Sequence, residues 1–390
     1  MDKILSVCLT DKDYLHNQAY TYLQLPATPC ELVDALDKLN LTSPEDVAIE
    51  IEQYYGFGCL SSAPIEDAGL IQLNTLTEQL SKLDSEQIVA FCGLVKMENS
   101  SSATPIPFSH LMDYAHHTQD CLVLADVHSD YELGKFYCDN GFIEAVNDVP
   151  DEAYKLLDFG KIGTEMRVAE GGVYEMGCYI FQTEDIPHVD WTYGQWEPDY
   201  IVQAEIENMN TGEKTQLCFP TNEEELQSSL DRIHADRWDL AILTCTDCIV
   251  PQLREAVTQA DDPELTNQFA RTLSQLSKPD LTKYKALIDA MDCSDLHYAA
   301  ELLEELDDYV MDRHIHSFEE IAMDHLRVMV EPSDLEVLKK HINLYAYGDD
   351  LLEQSPGVMT DYGYFQRRDG EMFFAPQEEV KQTNIEFQSF

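Results

Sequence analysis

Two stretches decide the reading of this chain: LPATPCELVDALDKL at 25–39 and FPTNEEELQSSLDRI at 219–233. Pro26 and Pro220, Glu31 and Glu225, Leu32 and Leu226, Leu36 and Leu230, and Asp37 and Asp231 all stand 194 positions apart. Apolar residues spaced by three and four predict an amphipathic helix in each, and the proline is read as initiating it. A short strand is expected next, Val47–Ile51 in one stretch and Leu240–Leu243 in the other, at an offset of 193. Leu80, Ser81 and Leu83 then match Leu273, Ser274 and Leu276 at that same offset. Later landmarks keep step at 185: Gly163 with Gly348, Gly172-Val173 with Gly357-Val358, and Tyr179 with Tyr364.

Separated landmarks at a nearly constant offset mark an internal repeat. The fall from 194 to 185 implies extra residues in the first copy, and ENSSSATPIP (98–107) is read as an inserted loop. The expected organisation is a first copy at 1–185, a junction at 186–200 and a second, more divergent copy at 201–390. Each copy reads as a β region, a helix, a strand, a helical middle and a closing hairpin, in GGVYEMGCYIFQ (171–182) and PGVMTDYGYFQRRDGEMFF (356–374). Strands and helices mix without regular βαβ alternation, so the expected class is α+β, a multi-domain chain with short sheets and acidic amphipathic helices. The alternative is one large α+β domain with coincidental patterns.

Composition supplies the functional problem. The 390 residues hold 74 Asp plus Glu against 24 Lys plus Arg, a formal net charge of −50. Disordered acidic chains lack aromatic and branched residues, whereas this one is 44% hydrophobic with 20 Tyr and 15 Phe. The acid therefore sits on a folded surface, where like charges repel and cost stability. Eleven cysteines without a framework spacing point to a reducing compartment. MDKILSVCLTDKDYLHNQ has no basic region leading into an apolar run, and no stretch approaches the roughly 18 apolar residues of a membrane span. A soluble, cytoplasmic protein is expected.

The acid is interleaved with apolar residues at helical spacing. ELLEELDDYVMD (301–312) is read as one helix, with Leu302, Leu303, Leu306, Tyr309 and Val310 as its stripe and Glu301, Glu304, Glu305, Asp308 and Asp312 on the other faces. NEEELQSSLD (222–231), with Glu223 and Glu224, and VPDEAYKLLDF (149–159), with Asp151 and Glu152, read similarly. Asp126, Asp130 and Glu132 lead into a further acidic helix, with Ser129 or Asp130 as N-cap. Any one acidic face is ordinarily a solvated surface. The informative feature is that almost every helix candidate carries one, and few carry compensating Lys. These twelve carboxylates are the candidate partner-binding residues. Duplex DNA carries one negative charge per about 1.7 Å of axis, so 50 charges at that density would cover on the order of 85 Å.

Catalytic chemistry finds little support. Cys245-Thr246-Asp247-Cys248 is a lone CxxC without the second pair that a zinc ribbon needs, and is read as strand cysteines. Asp126-Val127-His128 has the spacing that opens a metallophosphoesterase site, but the further ligands are missing. His110, His116 and His117 form no consistent ligand set. Gly348-Asp349-Asp350 aligns with Gly163-Thr164-Glu165 and is read as a helix end or turn. No phosphate-binding loop, dinucleotide fingerprint or nucleophile elbow occurs. No catalytic, cofactor or metal residue is assigned, and a non-enzymatic protein is expected.

ADVHSDYELGKFYCDNGFIEAVNDVPDEAYKLLDFGKIGTEMRVAEGGVYEMGCYI (125–180) resembles the C-terminal part of ArdA-type antirestriction proteins. HIHSFEEIAMDHLRVMVEPSDLEVLKKHINLYAYGDDLL (314–352) keeps the same order, with Ile321 where Leu133 stands and Ala322 where Gly134 stands. The resemblance implies an elongated, acidic mimic of bent B-form DNA that blocks type I restriction-modification enzymes, commonly as a dimer, and is carried by mobile elements. It implies a protein partner with a basic DNA-binding surface, no nucleic acid, no membrane and no cofactor. Two departures stand out. The tandem arrangement is about twice the family's usual length, and the second copy has no clear match to the Asn140-Gly141-Phe142 turn. The alternative is an acidic protein that blocks another DNA-binding defence enzyme, or a basic nucleoid or transcription protein. An enzyme from a salt-adapted organism is the third reading.

Overall fold

The computed structural model describes residues 2–13, 19–147, 149–194 and 196–373. These residues form sixteen α-helices and four three-stranded antiparallel sheets, an α+β chain. They divide into two compact units, one of residues 2–13, 20–36 and 41–197, the other of 198–373 together with 19 and 37–40. Gln195 of the expected junction and 374–390 of the expected second copy lie outside the described residues.

The first unit begins with β1 (Leu5–Asp11), β2 (Tyr20–Leu25), α1 (Pro29–Lys38) and β3 (Val47–Tyr54), with strand order β2-β1-β3. Alternation decides which face is covered: Leu5, Val7, Leu9, Leu23 and Leu25 are buried, while Tyr20, Tyr22 and Gln24 face solvent. Burying each such side chain is worth roughly 1.5–3 kcal/mol. The helical middle is α2 (Leu70–Leu80), α3 (Ser85–Ser101) and α4 (Phe108–His116). Next come β4 (Cys121–Ala125), α5 (Asp130–Asp139), α6 (Glu144–Asn147), α7 (Asp151–Tyr154), α8 (Phe159–Glu170), β5 (Val173–Glu175) and β6 (Cys178–Gln182), with order β4-β6-β5. Val127, Leu133, Tyr137 and Tyr179 form the core of this second half.

The second unit has the same succession of strands, with four α-helices where the first has three in the middle and three where it has four before the last two strands, among the described residues. It runs β7 (Val202–Asn208), β8 (Lys214–Phe219), α9 (Glu223–Arg232), β9 (Ala241–Cys248), α10 (Arg254–Ala260), α11 (Pro263–Leu273), α12 (Lys278–Ala290) and α13 (Leu296–Glu304). It closes with β10 (Tyr309–Asp312), α14 (Phe318–Met329), α15 (Pro332–Leu338), α16 (Leu344–Glu353), β11 (Val358–Thr360) and β12 (Gly363–Arg367). Its sheets have the orders β8-β7-β9 and β10-β12-β11. Even the irregularity recurs, with a register shift at Ser6/Val7 between β1 and β3 and at Gln203/Ala204 between β7 and β9.

Small devices repeat too. The Ala27 N–H donates to Asn74 Oδ1 (2.7 Å) and the Asn74 amide donates to Ala27 O (3.1 Å). Thr221 and Asn267 form the same pair at 2.8 and 3.1 Å. Helix N-caps match as Asp84 with Ser277, Ser129 with Ser317, and Asp158 with Asn343. Gly172 and Gly357 lie against tyrosine rings: a Cβ would meet Tyr179 Oη at 2.3 Å in one and Tyr364 Cζ at 2.5 Å in the other.

Several expectations need correction. Pro26 and Pro220 follow cis peptide bonds at the ends of β2 and β8 and do not initiate helices. Thr28 with Glu31, and Asn222 with Glu225, cap α1 and α9 instead. The expected loop at 98–107 is helical through Ser101, where the Ser100 and Ser101 hydroxyls donate back to Lys96 O and Glu98 O. Residues 301–312 are not one helix. It ends at Glu304, and Tyr309–Asp312 pair as strand β10 with β12 because Tyr309, Val310 and Met311 find backbone partners in Arg367, Gln366 and Phe365. Only Asp151–Tyr154 of 149–159 forms helix, apart from the first residue of α8. Gly163 and Gly348 lie inside α8 and α16, not at an end or turn. Cys59 and Cys92 are disulfide-bonded, a pairing that the scattered cysteine spacing does not announce and that sits awkwardly with a reducing compartment.

After β6 the chain is held down by Asp113, buried on α4, which accepts from Val189 N (3.1 Å) and Trp191 Nε1 (3.1 Å) and pairs with His188 Nδ1 (2.9 Å). Burial alone would raise the Asp113 carboxyl. The His188, Val189 and Trp191 hydrogen bonds outweigh it and hold the group below its ordinary range.

Candidate partner-binding surface

The twelve candidate carboxylates fall into two groups. Asp126, Asp151, Glu152, Glu223, Glu224, Glu301, Glu304, Glu305 and Asp308 are exposed, and among the described residues no ion pair falls to them. Asp151 and Glu152 occupy the first turn of α7, and Glu223 and Glu224 that of α9, where a helix N-terminus favours negative charge. Glu301 and Glu304 project from α13, while Glu305 and Asp308 follow in the turn that leads to β10. The local reason is plain: Leu302 and Leu306 are buried, so the acids between them are left outside.

Three candidates are engaged at home. Asp130 accepts from Arg167 Nε (2.7 Å) and Nη2 (3.1 Å), Thr164 Oγ1 (2.8 Å) and Tyr174 Oη (2.8 Å). Arg167 above all holds this carboxyl far below the usual carboxylate range, with Thr164 and Tyr174 adding to it. Glu132 closes a capping box, accepting from His128 N (2.7 Å) and Ser129 Oγ (3.1 Å) while its own N–H donates to Ser129 Oγ (3.3 Å). The His128 backbone bond is the main reason its carboxyl lies low. Glu320 repeats the box with His316 N (2.6 Å) and Ser317. Asp312 is exposed but accepts from His314 N (3.0 Å).

Asp130 is thus a cross-link between the start of α5, α8 and β5. Asp130→Asn is expected to lower the stability of the first unit by about 2 kcal/mol at neutral pH, because the bidentate Arg167 contact is lost. The folded-state pKa is depressed, so the stabilisation is full above about pH 4 and is lost as pH falls through the folded value. Urea denaturation of both proteins at several pH values checks this. A gap that stays constant into acid would refute it.

The cations are largely occupied within the molecule. Lys96 reaches Glu175 (2.7 Å), Lys214 reaches Glu205 (2.7 Å) and Glu207 (3.1 Å), Lys339 reaches Glu336 (3.0 Å), and Arg367 reaches Asp369 (2.6 Å). Glu50 and Glu52, exposed carboxylates of β3, are not among the twelve. The period-two alternation of VAIEIEQY is the signal that finds them.

Other chemistry is muted. Cys245 and Cys248 are buried in β9, where burial pushes the Cys245 thiol up to about 12 and raises Cys248 as well, so both are neutral. His110 pairs with Glu98 (2.8 Å) and His117 with Asp120 (2.9 Å). Among the described residues no group of three or more His, Cys, Asp or Glu could hold a metal ion, and no helix is long and apolar enough to cross a membrane. No protein-family model matches the chain, and no curated protein matches its sequence.

Proposed function

We propose that this protein is an ArdA-type DNA mimic that occupies the DNA-binding groove of type I restriction-modification enzymes and so blocks restriction. The observation that carries the reading is the division of its charges. Many of the cations pair internally, while carboxylates on α7, α9, α13 and the turn before β10 stand exposed without ion partners among the described residues. Exposed acid of this kind adds little to stability, since even surface ion pairs are worth about 0–1 kcal/mol. It is suited to a partner that supplies the missing positive charge. A basic DNA groove does so, and it exchanges counterions as it would with DNA. Neither catalysis nor nucleic-acid binding is part of the proposal, because a −50 surface repels phosphate.

The test is competition between this protein and labelled target duplex for a purified type I restriction-modification enzyme across a salt series. Displacement of the duplex is expected, with the logarithm of this protein's own affinity for the enzyme falling linearly with the logarithm of salt concentration. An enzyme that keeps its DNA at every salt concentration would overturn the proposal and direct the search to a different basic protein.

A further inference from the structure

The two units keep apolar residues on the inner sheet face and change the character of the outer ones. Leu23 and Leu25 on β2 correspond to Leu217 and Phe219 on β8, and all four are buried. On the opposite face of that edge strand the second unit carries Lys214 and Gln216, paired in register with Glu207 and Glu205 of β7. Lys214 clasps both of those acids, so that face is closed on itself. The first unit carries Tyr20 and Tyr22 at the corresponding positions, in register with Thr10 and Cys8 of β1.

These two tyrosines are left open. Each is 62% exposed, and their rings meet edge to face at 5.9 Å and 81°. Cys8 continues the Tyr22 row across the sheet to Glu50 on β3, with Glu52 beyond. The field there is negative: Cys8 first, then desolvation, Glu52, Tyr20 and Glu50 raise the Tyr22 phenol above its ordinary value. No cation pairs with Glu50 or Glu52 among the described residues. Lys3 is bound to Gln24 O (3.3 Å) and Pro26 O (2.8 Å), and Lys12 to Glu45 O (2.5 Å).

We propose that this outer face of the β2-β1-β3 sheet docks arginine side chains of the bound protein, with Tyr20 and Tyr22 as stacking surfaces and Glu50 and Glu52 as carboxylate acceptors. The inference rests on the mimic reading only for the identity of the partner. Its chemistry is local. A guanidinium is planar, stacks on a phenol ring and donates in pairs to a carboxylate, whereas an ammonium does the last only as a point charge. Phosphate and carboxylate ligands are opposed by the same acids. This face therefore adds to charge mimicry a contact that DNA itself does not make, and that contact is less sensitive to salt.

The test uses the full chain and two probes of equal charge, nona-arginine and nona-lysine peptides, titrated at physiological salt. The arginine peptide is expected to bind roughly five-fold more tightly and to shift the ring resonances of Tyr20 and Tyr22. Tyr20→Ser/Tyr22→Ser should abolish the preference, and Tyr20→Phe/Tyr22→Phe should retain it. Equal binding of the two peptides, or an arginine preference that survives in a folded double-serine protein, would overturn the proposal. If the serine variant does not fold, an absence of ring shifts in the unaltered protein overturns it equally. No restriction enzyme is present in this experiment. Displacement of DNA without an arginine preference would remove this face and keep the mimic, and the reverse result would do the opposite.

Discussion

Alanine at Gly134 is expected to lower the stability of the first unit by about 3 kcal/mol or more, a fall of roughly 6 °C or more in Tm. The reason is a crossing of α5 and α8 at backbone distance. A Cβ on Gly134 would lie 1.9 Å from Phe159 O and 2.8 Å from Gly163 N, and a Cβ on Gly163 would lie 1.7 Å from Asp130 O. Neither obstacle is a flexible side chain, so relief requires the helices to part and the Leu133–Tyr137–Tyr179 core to open. Gly163→Ala should cost as much. The second unit repeats the contact once, with Gly348 against Phe318 O at 1.8 Å, while Ala322 stands where the first unit has Gly134. Gly348→Ala should therefore destabilise the second unit. Gly160 is the control: it lies on α8, and its nearest neighbour for a Cβ is Asp158 Oδ1 at 3.5 Å. Gly160→Ala should be neutral or stabilising by up to about 1 kcal/mol, since alanine is the better helix former. Thermal and chemical denaturation of the four variants decides the matter, and a Gly134→Ala protein that melts like the original would refute the close crossing.

Neutralising Glu301, Glu304, Glu305 and Asp308 together as Gln and Asn is expected to weaken competition with DNA roughly ten-fold at low salt and to flatten its salt dependence. Glu301→Gln alone should change it by less than about two-fold, because each exposed charge contributes a small, screened part of a distributed field. Stability should hold or rise slightly as repulsion is relieved. The competition assay supplies both numbers. A single substitution that abolishes competition while the four-fold variant competes normally would show a local site in place of a charged surface. Asp130→Asn provides the contrast, since its effect should appear in denaturation and not in the salt slope.

Periodicity and offset make corresponding elements legible: β1 and β7, α1 and α9, and Tyr179 and Tyr364 fill the same places in their units. What the sequence hid depends on partners distant along the chain. Pro26 and Pro220 look like helix starters until Asn74 and Asn267, 48 and 47 residues on, are seen holding the turns beside them. Residues 309–312 have helical spacing but become strand because β12 offers them a ladder. Gly163 and Gly348 look like helix ends, and only the approach of a second helix explains glycine in mid-helix. Among the acids, the side chains that remain outside were readable from the apolar stripes that turn inward. Asp130 was not, since nothing in its own helix announces Arg167, whereas Glu132 stands in the Ser-x-x-Glu spacing of a capping box. Tyr20 and Tyr22 were visible as outward residues of YTYLQL, but their meaning depends on the comparison with Lys214 and Gln216.

Each of the four sheets has only three strands, so β2, β3, β4, β5, β8, β9, β10 and β11 are all margins with one side unpaired by strand among the described residues. Margins of this kind recruit other chains, and proteins usually guard them with covering elements or charge. Here a net charge of −50 opposes such recruitment between copies of the chain. The same carboxylates are thus a colloidal defence as well as the proposed binding surface, and conditions that screen or protonate them are expected to promote self-association.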